Sequence, residues 1–525
     1  MKFLENIEPR EYQQKIFETC IEKNCLVVLP TGLGKTLIAL MLAIERMTRF
    51  PGEKVVLLAP TKPLAEQQME FFKKHLPELF GDMQLFTGLI NSTQRKKIFK
   101  TADIIFSTPQ CVANDLKKEL YSLKDVCLLI EDEAHRCTKN YDYNYVAQRY
   151  FSQSENPRIL GLTASPGSET RKIKEICKNL RIEEVELRVR ESEDVKEFLQ
   201  ELKFQKEMVD FPPEMEEIRH VLKKIFQEYV DELKSRKMLF GFVSKTGLIS
   251  LQKKISASLS RGNKNFNYMM GASACAQAIK IQHALELLET QTLSSLDSYL
   301  KKLFKQAEKK QSKGVVKLVK KPEFNFVYSQ TNELISKNKE HPKLDRLFEI
   351  VKKEQEDNNN IKIIIFTQFR DTAATISKKL NEIKEINSAV FIGQAGEKGL
   401  TQKQQKQIIQ DFSSGETNIL CATSIGEEGL DIPEVNAVIF YEPIPSAIRS
   451  IQRRGRTARL MAGKLIMLIT KDTRDETFYH IARSREKKMY KSIGEIKKDL
   501  SQGTLFKKTE KQSSLWKKPD EDNIN

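Results

Sequence analysis

The sequence predicts an α/β protein with two parallel-sheet domains and an all-helical insert domain between them. Short apolar runs alternate with amphipathic stretches from residue 25 to about residue 185, and the same alternation returns after residue 341. Continuous apolar runs separated by helical segments are typical of parallel strands covered by helices on both faces. Between about 190 and 340, glycine and proline become rare and apolar residues recur at helical spacing, which indicates helices.

The expected elements follow this division. Strands are expected at 25–30, 55–60, 84–88, 104–108, 127–130 and 158–163 in the first half, and at 361–366, 389–392, 418–422, 437–441 and 465–470 in the second. The expected domains are a first α/β domain (1–188), the helical insert (189–340), a second α/β domain (341–490) and a basic tail with little fixed structure (491–525). Long helices are expected at 214–234 and 272–289.

Composition favours a polyanionic partner. The 525 residues carry a formal charge of +16, which suits nucleic acid, although a generally lysine-rich surface would give the same value. Residues 301–321 hold nine lysines and the single acid Glu308. This segment is either a phosphate-backbone contact, a solvated helix face or a disordered loop.

Other features limit where the protein works. The cysteines show no C-x-x-C spacing, so neither disulfides nor a zinc site is expected. The sequence has no apolar run of 18 residues and no signal-peptide pattern at its beginning, so no membrane association is expected. We therefore expect a cytoplasmic, nucleoid-associated protein.

A phosphate-binding loop is predicted at residues 29–36, between an expected strand and an expected helix. In that position backbone N–H groups and the helix N-terminus bind phosphates, Lys35 reaches the β- and γ-phosphates, and Thr36 holds Mg²⁺. Leu29 stands where the strict pattern has glycine.

A carboxylate pair is predicted to complete this ATP site. Asp132 and Glu133 follow an apolar run, and open α/β sheets bind ligands at the carboxyl ends of their strands. Asp132 suits Mg²⁺, and Glu133 suits positioning and deprotonating the attacking water. We expect His135 to link the ATP and nucleic-acid sites by hydrogen bonding, without a metal role.

Residues 452–459 hold four arginines in eight positions. A cluster of this density requires an anion to balance it, and the phosphate loop of the other domain supplies a candidate. The pair of features predicts one nucleotide held between two domains, although an exposed basic loop that binds nucleic acid is the alternative.

These motifs together resemble a superfamily 2 helicase of the DEAH-box type. Residues 161–165 (GLTAS) resemble the third motif of that family, 422–431 the fifth, 452–459 the sixth, and 10–13 (REYQ) the adenine-recognition motif. The wording of 29–36, 59–68 and 160–166, with an insert containing 278–289, is similar to the archaeal Hef and Fanconi anaemia group M branch.

The resemblance implies two RecA-like domains, a helical insert that grips forked or branched DNA, and ATP- and Mg²⁺-dependent 3′-to-5′ translocation. It implies that Arg456 and Arg459 are arginine fingers and that Arg453 braces the interdomain contact. Ala458 replaces a usual glycine, and we expect hydrolysis to survive this change. The predicted nucleotide-binding residues are Arg10, Gln13, Leu29, Pro30, Thr31, Gly32, Leu33, Gly34, Lys35, Thr36, Gly429, Asp431 and Arg453.

Nucleic-acid contacts are expected from loops at the strand ends. Small hydroxyl side chains and backbone amides there suit phosphate gripping without base reading, although each could instead cap its strand. The candidates are Thr61, Lys62, Thr87, Gly88, Ser107, Thr108, Gln368, Arg370 and Thr423.

Two other functions remain possible from the sequence. A double-stranded-RNA helicase of the innate-sensor or Dicer type shares the helical insert, but those relatives usually read Asp-Glu-Cys-His where this chain has Ala134. A non-hydrolysing scaffold tethered to a sliding clamp is the second alternative.

Partners are suggested by what the end of the sequence contains. Residues 484–488 do not match the nuclease motif of Hef-type chains, so we expect a helicase-only version or a fragment, with a separate nuclease as a candidate partner. The segments from Gln502 to Phe506 and from Gln512 to Trp516 resemble clamp-binding peptides, although ordinary tail residues are the simpler interpretation.

Overall fold

The computed structural model describes residues 3–139, 141–189, 192–198, 202–241, 243–262, 265–358, 361–394, 399–423, 435–446, 463–503 and 505. Within them, a seven-stranded and a six-stranded sheet are formed, with a group of helices between them in the chain. Each of the eleven apolar runs predicted as strands overlaps an observed strand. The predicted fold class is confirmed.

The first sheet is parallel throughout, in the order β3-β4-β2-β5-β6-β1-β7. Its central strands are buried on both faces, between two separate apolar cores. The strands are β1 (Cys25–Val28), β2 (Lys54–Leu58), β3 (Met83–Phe86), β4 (Ile104–Ser107), β5 (Val126–Asp132), β6 (Ile159–Thr163) and β7 (Glu184–Leu187). The helices are α1 (Glu11–Glu22), α2 (Lys35–Arg49), α3 (Lys62–His75), α4 (Ser92–Thr101), α5 (Pro109–Lys117), α6 (Asp142–Gln153), α7 (Thr170–Asn179) and α8 (Glu193–Lys196).

The second sheet is also parallel, in the order β10-β11-β9-β12-β13-β8. Its strands are β8 (Leu202–Val209), β9 (Ile363–Phe366), β10 (Ser388–Phe391), β11 (Ile419–Ala422), β12 (Ala437–Phe440) and β13 (Gly463–Thr470). Its helices are α15 (Pro342–Asp357), α16 (Arg370–Leu380), α17 (Gln402–Ser414) and α18 (Arg474–Ser501).

Strand β8 corrects the predicted start of the helical insert at residue 189. It precedes the helices in the chain but pairs with β13 along its whole length, so it belongs to the second sheet. Lysine, glutamine and glutamate occupy four of its eight positions. Because an edge strand need not be buried on both faces, it lacks the continuous apolar run that marks the other strands.

The helical domain consists of α9 to α14. Its longest helices, α9 and α11, pack against each other along much of their length, around a core of leucine, isoleucine and phenylalanine. The helices are α9 (Pro213–Ser235), α10 (Lys245–Ser260), α11 (Phe266–Thr290), α12 (Leu293–Glu308), α13 (Lys313–Val319) and α14 (Pro322–Ser336).

Helix α18 corrects the predicted tail. It begins beside the second sheet and continues to Ser501, so the tail does not begin at residue 491. Its far half packs into the first domain, where Ile493 and Ile496 are fully buried. Thr170 and Ser492 bring their hydroxyl oxygens to 2.7 Å. One helix therefore contacts both α/β domains.

A buried ion pair joins the helical domain to the second α/β domain. Lys343 and Asp475 have fully buried side chains, with Nζ 2.7 Å from the carboxylate. The same ammonium donates to the carbonyl of Thr290, the last residue of α11, at 2.6 Å and to the carbonyl of Tyr441 at 3.0 Å. Three carbonyl and carboxylate acceptors thus replace the water that a buried ammonium loses.

Removing the ammonium should be far more damaging than removing a surface lysine. Lys343→Met leaves Asp475 buried without its counter-charge, and we expect the free energy of unfolding to fall by about 3–5 kcal/mol. Lys337, 61% exposed and paired with Glu333 at 2.7 Å, is the control, and Lys337→Met should cost less than about 1 kcal/mol. Urea unfolding followed by circular dichroism measures both. Equal losses of unfolding free energy in the two variants would contradict a stabilising role for the buried Lys343–Asp475 pair.

Candidate active site

Strand order brings the predicted ATP-site segments together. Strands β5, β6 and β1 are neighbours in the first sheet. The phosphate loop follows β1, the carboxylates end β5, and the GLTAS segment ends β6. Because the strands are parallel, their carboxyl ends share one edge of the sheet, which is where α/β proteins bind ligands.

The phosphate loop has the conformation that its glycines permit. Gly32 and Gly34 have φ values of 87° and 71°, a region that side chains rarely adopt. Lys35 opens α2, and its Nζ donates to the carbonyl of Leu29 at 3.0 Å. The ammonium is therefore held inside the loop, beside the N-terminal turn of the helix, where N–H groups favour anions.

The predicted adenine-recognition residues lie against this loop. Tyr12 and Gln13 both donate to the carbonyl of Leu33, at 2.9 and 3.1 Å. The side-chain oxygen of Gln13 also accepts from the backbone N–H of Arg10 at 2.9 Å. A Cβ atom on Gly34 would come within 2.3 Å of the Gln13 amide nitrogen, so only glycine leaves room for this arrangement.

Phe198 is part of this region and was missed by the sequence analysis. The guanidinium carbon of Arg10 lies 4.6 Å from the centre of its ring, within cation–π range. Tyr12 and Phe198 also pack with ring centroids 5.6 Å apart. No motif marks this phenylalanine, since it lies far from α1 in the chain.

Asp132 is held by two donors inside the protein. Gln68 donates its amide to one carboxylate oxygen at 2.9 Å, and the N–H of Glu133 donates to the other at 3.0 Å. Tyr143 fixes the backbone by donating to the Asp132 carbonyl at 2.6 Å. Burial, with the neighbouring charge of Glu133, raises the pKa of Asp132 to about 6, although Lys35 opposes this shift. Gln68 and Tyr143 were not predicted as site residues.

Glu133 keeps its charge by a different balance. It adopts φ 53°, a left-handed conformation that ends β5 and begins a short 3-10 turn at Ala134–Arg136. Burial favours the neutral carboxyl, but the neighbouring side chains of His135 and Lys35 outweigh it, so the pKa of Glu133 lies below its usual value. An ionised carboxylate beside a neutralisable one suits a general base next to a cation ligand.

His135 connects this site to the end of β6. Its Nδ1 lies 3.1 Å from the Thr163 hydroxyl and 3.2 Å from a Glu133 carboxylate oxygen, and only the first contact has hydrogen-bond geometry. The Thr163 hydroxyl in turn donates to the Ser165 carbonyl at 3.1 Å. Ser165 donates to the sulfur of Met489 in α18 at 3.0 Å. Contacts therefore run from Glu133 to the helix that joins the two domains.

The residues present fit Mg²⁺. Thr36 and Asp132 offer a hydroxyl and a carboxylate, the oxygen ligands that Mg²⁺ prefers, and Mg²⁺ commonly takes only one or two protein carboxylates beside substrate phosphates. The hydroxyl of Thr31 in the same loop is buried without a partner. Among the described residues no cluster of three or more His, Cys, Asp or Glu forms a dedicated metal cage.

The predicted nucleic-acid residues of the first domain lie on the other half of the same edge. Strands β3, β4 and β2 are adjacent and parallel, so the residues that follow them come together at this edge. Ser107 is the exception in its side chain, which is fully buried with its hydroxyl bonded to the carbonyls of Phe86 and Thr108. The others at this edge are Thr61, Lys62, Thr87, Gly88 and Thr108.

The second domain contributes a matching set. Gln368 and Arg370 follow β9, and Thr423 follows the neighbouring strand β11. Arg370 donates to the carbonyl of Gly393 at 3.0 Å, which ties two strand ends together. The predicted residues Gly429, Asp431, Arg453, Arg456, Arg459 and Ala458 lie outside the described residues.

No described helix is both long and apolar enough to span a bilayer.

Leu505 lies inside the first segment predicted to bind a clamp. It is 5% exposed and packs in the core of the first domain. Leu505 would have to leave this core to contact a clamp.

The geometry is that of an ATP-hydrolysing motor, in which a nucleotide site and a group of polar residues at neighbouring strand ends share one sheet edge. The family models that match the sequence belong to the same class. Residues 10–173 match "DEAD/DEAH box helicase", residues 342–461 match "Helicase conserved C-terminal domain", and residues 214–334 match "Putative ATP-dependent RNA helicase, helical bundle".

Individual relatives narrow the class. The solved helicase domain of Pyrococcus furiosus Hef is 41% identical, with a TM-score of 0.68, and the match covers 90% of this chain and 98% of that one. The "Putative ATP-dependent RNA helicase MJ1505" of Methanocaldococcus jannaschii is 39% identical over 92% of this chain and 60% of its own length. The mouse Fanconi anemia group M protein homolog is 31% identical over 93% of this chain and 26% of its own.

The chain belongs to the Hef and Fanconi anaemia group M family of helicases, as the sequence motifs indicated. It spans 60% or less of the length of the two curated relatives described above and nearly all of the Hef helicase domain.

The raised pKa of Asp132 predicts a pH-dependent stability. Since the folded protein binds this proton more tightly than the unfolded chain, whose pKa is near 3.8, stability falls as pH rises from about 4 to 6 and then levels. The loss should be on the order of 3 kcal/mol. Asp132→Asn should remove it, so the variant gains stability relative to the wild type as pH rises.

Urea unfolding between pH 4 and 8 in nucleotide- and Mg²⁺-free buffer measures this difference. Asp210→Asn is the control, because the Asp210 side chain is 83% exposed. Parallel stability curves for the wild type and Asp132→Asn would show that Asp132 titrates normally.

Proposed function

We propose that this chain is an ATP-dependent DNA helicase or translocase that remodels forked and branched DNA during repair. One observation supports this most: the candidate ATP-site and DNA-contact residues occupy adjacent halves of one sheet edge, and Gln68 of α3, the helix that begins at Lys62, donates to Asp132. A ligand change at one half therefore has a short route to the other.

The chain's own residues have distinct roles in hydrolysis. Lys35 binds the β- and γ-phosphates, and Arg10 and Gln13 hold the base beside the loop. Mg²⁺, held through Thr36 and Asp132, would offset the charge that develops on the phosphates. Glu133 takes the proton of the attacking water. By the family resemblance, Arg456 and Arg459 would serve the γ-phosphate as arginine fingers, and such fingers contribute about 10³–10⁵ in rate. Arg453, Gly429 and Asp431 would be further nucleotide-binding residues.

Domain movement would carry the helical domain with the second α/β domain. Besides the Lys343 ion pair, Gln291 accepts hydrogen bonds from Thr367 at 3.2 Å and Thr372 at 2.8 Å, all three fully buried. Thr367 directly precedes the candidate DNA contact Gln368. Closure around ATP thus shifts the helical domain and these strand-end contacts together along the DNA.

DNA is the favoured substrate. The mouse relative and the fungal proteins named ATP-dependent DNA helicase mph1 or fml1 match about nine-tenths of this chain, and the motif reads Asp-Glu-Ala-His. Duplex RNA is the second candidate, because the helical-bundle model and the Methanocaldococcus relative carry RNA-helicase names. The site of action follows from the substrate and is the nucleoid or nuclear DNA.

A sliding clamp and a nuclease are the other candidate partners. The second segment that resembles a clamp-binding peptide, from Gln512 to Trp516, lies outside the described residues, and a nuclease would act as a separate protein. Pull-down of the cognate clamp by the wild type and by Trp516→Ala tests the first of these ideas.

Substitutions in the ATP site should separate binding from chemistry. Lys35→Ala should lose ATP binding and hydrolysis. Glu133→Gln should keep binding but lower kcat by about 10²–10⁴, because the base is lost. Steady-state DNA-stimulated ATPase and fluorescent-nucleotide binding measure these effects.

Glu131→Gln is the matched control. Glu131 lies two residues away on β5, and burial raises its pKa well above the usual value, so the carboxyl is already neutral. Its replacement should leave kcat nearly unchanged. Full hydrolysis by Glu133→Gln would remove Glu133 as the base.

Substrate and direction can be tested together. We expect ATPase stimulation and strand displacement with forks and Holliday junctions to exceed those with plain duplex DNA or duplex RNA. We also expect 3′-to-5′ movement, so streptavidin should be displaced from a 5′-biotinylated strand and not from a 3′-biotinylated strand. Greater stimulation by duplex RNA would favour the RNA candidate, and the reverse displacement pattern would overturn the direction.

A further inference from the structure

The outer end of the helical domain exposes apolar side chains that no core uses. Phe266 is 69% exposed and Met269 is 50% exposed, both in the first turn of α11. With Ser273 and Gln277 they share one helix face, since these positions are three or four residues apart. Along this face α11 is exposed at Phe266 and Met269 and covered by another helix at Ser273 and Gln277.

Helix α13 covers the inner part of that face. A Cβ atom on Gly314 would lie within 2.9 Å of the Ser273 hydroxyl and still closer to the Gln277 amide. The helix α13 therefore packs against Ser273 and Gln277 and leaves Phe266 and Met269 beyond it. We call these two side chains the outer patch.

The outer patch lies far from the joint with the second domain. Helix α11 ends at Thr290, which accepts the hydrogen bond from Lys343. With a rise of 1.5 Å per residue, the 25 residues from Phe266 to Thr290 span about 36 Å. A ligand at the patch is therefore well separated from the strand ends at the base of the helical domain.

The chain on either side of the patch is rich in positive charge. Residues 233–285 contain nine lysines and arginines and neither aspartate nor glutamate. The turn before α13 adds Lys309, Lys310 and Lys313, all exposed. Lys310 is four residues from Gly314, a distance of at most about 14 Å. The cationic turn therefore lies near the covered part of the α11 face, and the outer patch follows along the same face.

This combination suits a polyanion that also presents flat apolar faces. Nucleic acid with unpaired bases has both, because aromatic side chains stack on bases while lysines bind the backbone. A blunt duplex conceals its base faces in the helical stack, whereas a strand that leaves a branch point exposes them. An acidic protein surface would satisfy the charge but gives no reason for an aromatic ring at the edge.

We propose that the outer patch, Phe266 and Met269 bordered by Lys309, Lys310 and Lys313, binds an unpaired nucleotide of a single-stranded arm at a DNA branch. Phe266 stacks on the base, Met269 packs at its edge, and the lysines bind the flanking phosphates. This inference rests on the proposed function in taking DNA as the polyanion, and it adds a DNA-binding position about 36 Å from the joint.

Binding of fluorescent DNA tests the patch directly. Phe266→Ala should weaken binding to a fork with an unpaired arm about tenfold and should leave binding to a blunt duplex of equal length within about twofold. Phe266→Trp should retain the affinity because stacking survives. Leu79→Ala is the matched control, since Leu79 is 98% exposed on the first domain and should change neither value.

Salt dependence separates stacking from charge. Phe266→Ala should leave the slope of log affinity against log salt unchanged. Lys309→Ala combined with Lys310→Ala should reduce the slope by about 1.4, because each phosphate of a single strand that a lysine neutralises contributes about 0.7. Circular dichroism should show unaltered folding for each variant.

Several outcomes would overturn the proposal. Equal losses of affinity for fork and duplex would mean that the patch binds DNA of any form, and no loss for either would mean that it does not bind DNA. If Phe266→Ala lowers the affinity for single-stranded RNA more than the affinity for single-stranded DNA, the patch binds RNA. Failure of the proposed function would be distinct: forked DNA would not stimulate the ATPase of the wild type, whatever Phe266→Ala does to binding.

Discussion

The buried contact between Lys343 and Asp475 determines how the parts of this protein can move. It brings together the end of α11, the beginning of α15, the end of β12 and the beginning of α18 around one ammonium. An isolated charge in the interior would be very unfavourable, so each of these segments must stay in place to solvate it. The helical domain is consequently an extension of the second α/β domain.

Helix α18 adds the complementary constraint. It starts at the ion pair through Asp475 and ends in the core of the first domain through Ile493 and Ile496. On the way, Met489 accepts a hydrogen bond from Ser165, which lies in the segment that ends β6. A change around Glu133 and His135 therefore reaches an element shared by both domains. Such a layout suits a motor, in which chemistry at one edge must alter the grip on DNA at another.

Two carboxyl groups in this site show how environment divides roles. Asp132 and Glu133 are adjacent and buried, yet burial raises the pKa of the first while nearby positive side chains lower that of the second. Glu131, two residues before Glu133, is fully buried, and burial raises its pKa well above the usual value. Three acidic residues in a row therefore differ in pKa, because the alternation of a strand followed by a left-handed residue sends them to different surroundings.

The sequence by itself determined eleven of the thirteen described strands, the phosphate loop, the carboxylate pair and the family. These features are local: continuous apolar runs and short motifs carry them. It failed at the edge strands β7 and β8 and at α18, because an edge strand has only half of the apolar pattern and a partly buried helix rich in lysine resembles a tail. Gln68, Tyr143 and Phe198 also required the tertiary structure, since each reaches the site from a distant segment. Only the fold decided that the helical domain belongs with the second sheet, because one buried lysine needed acceptors from three separate parts of the chain.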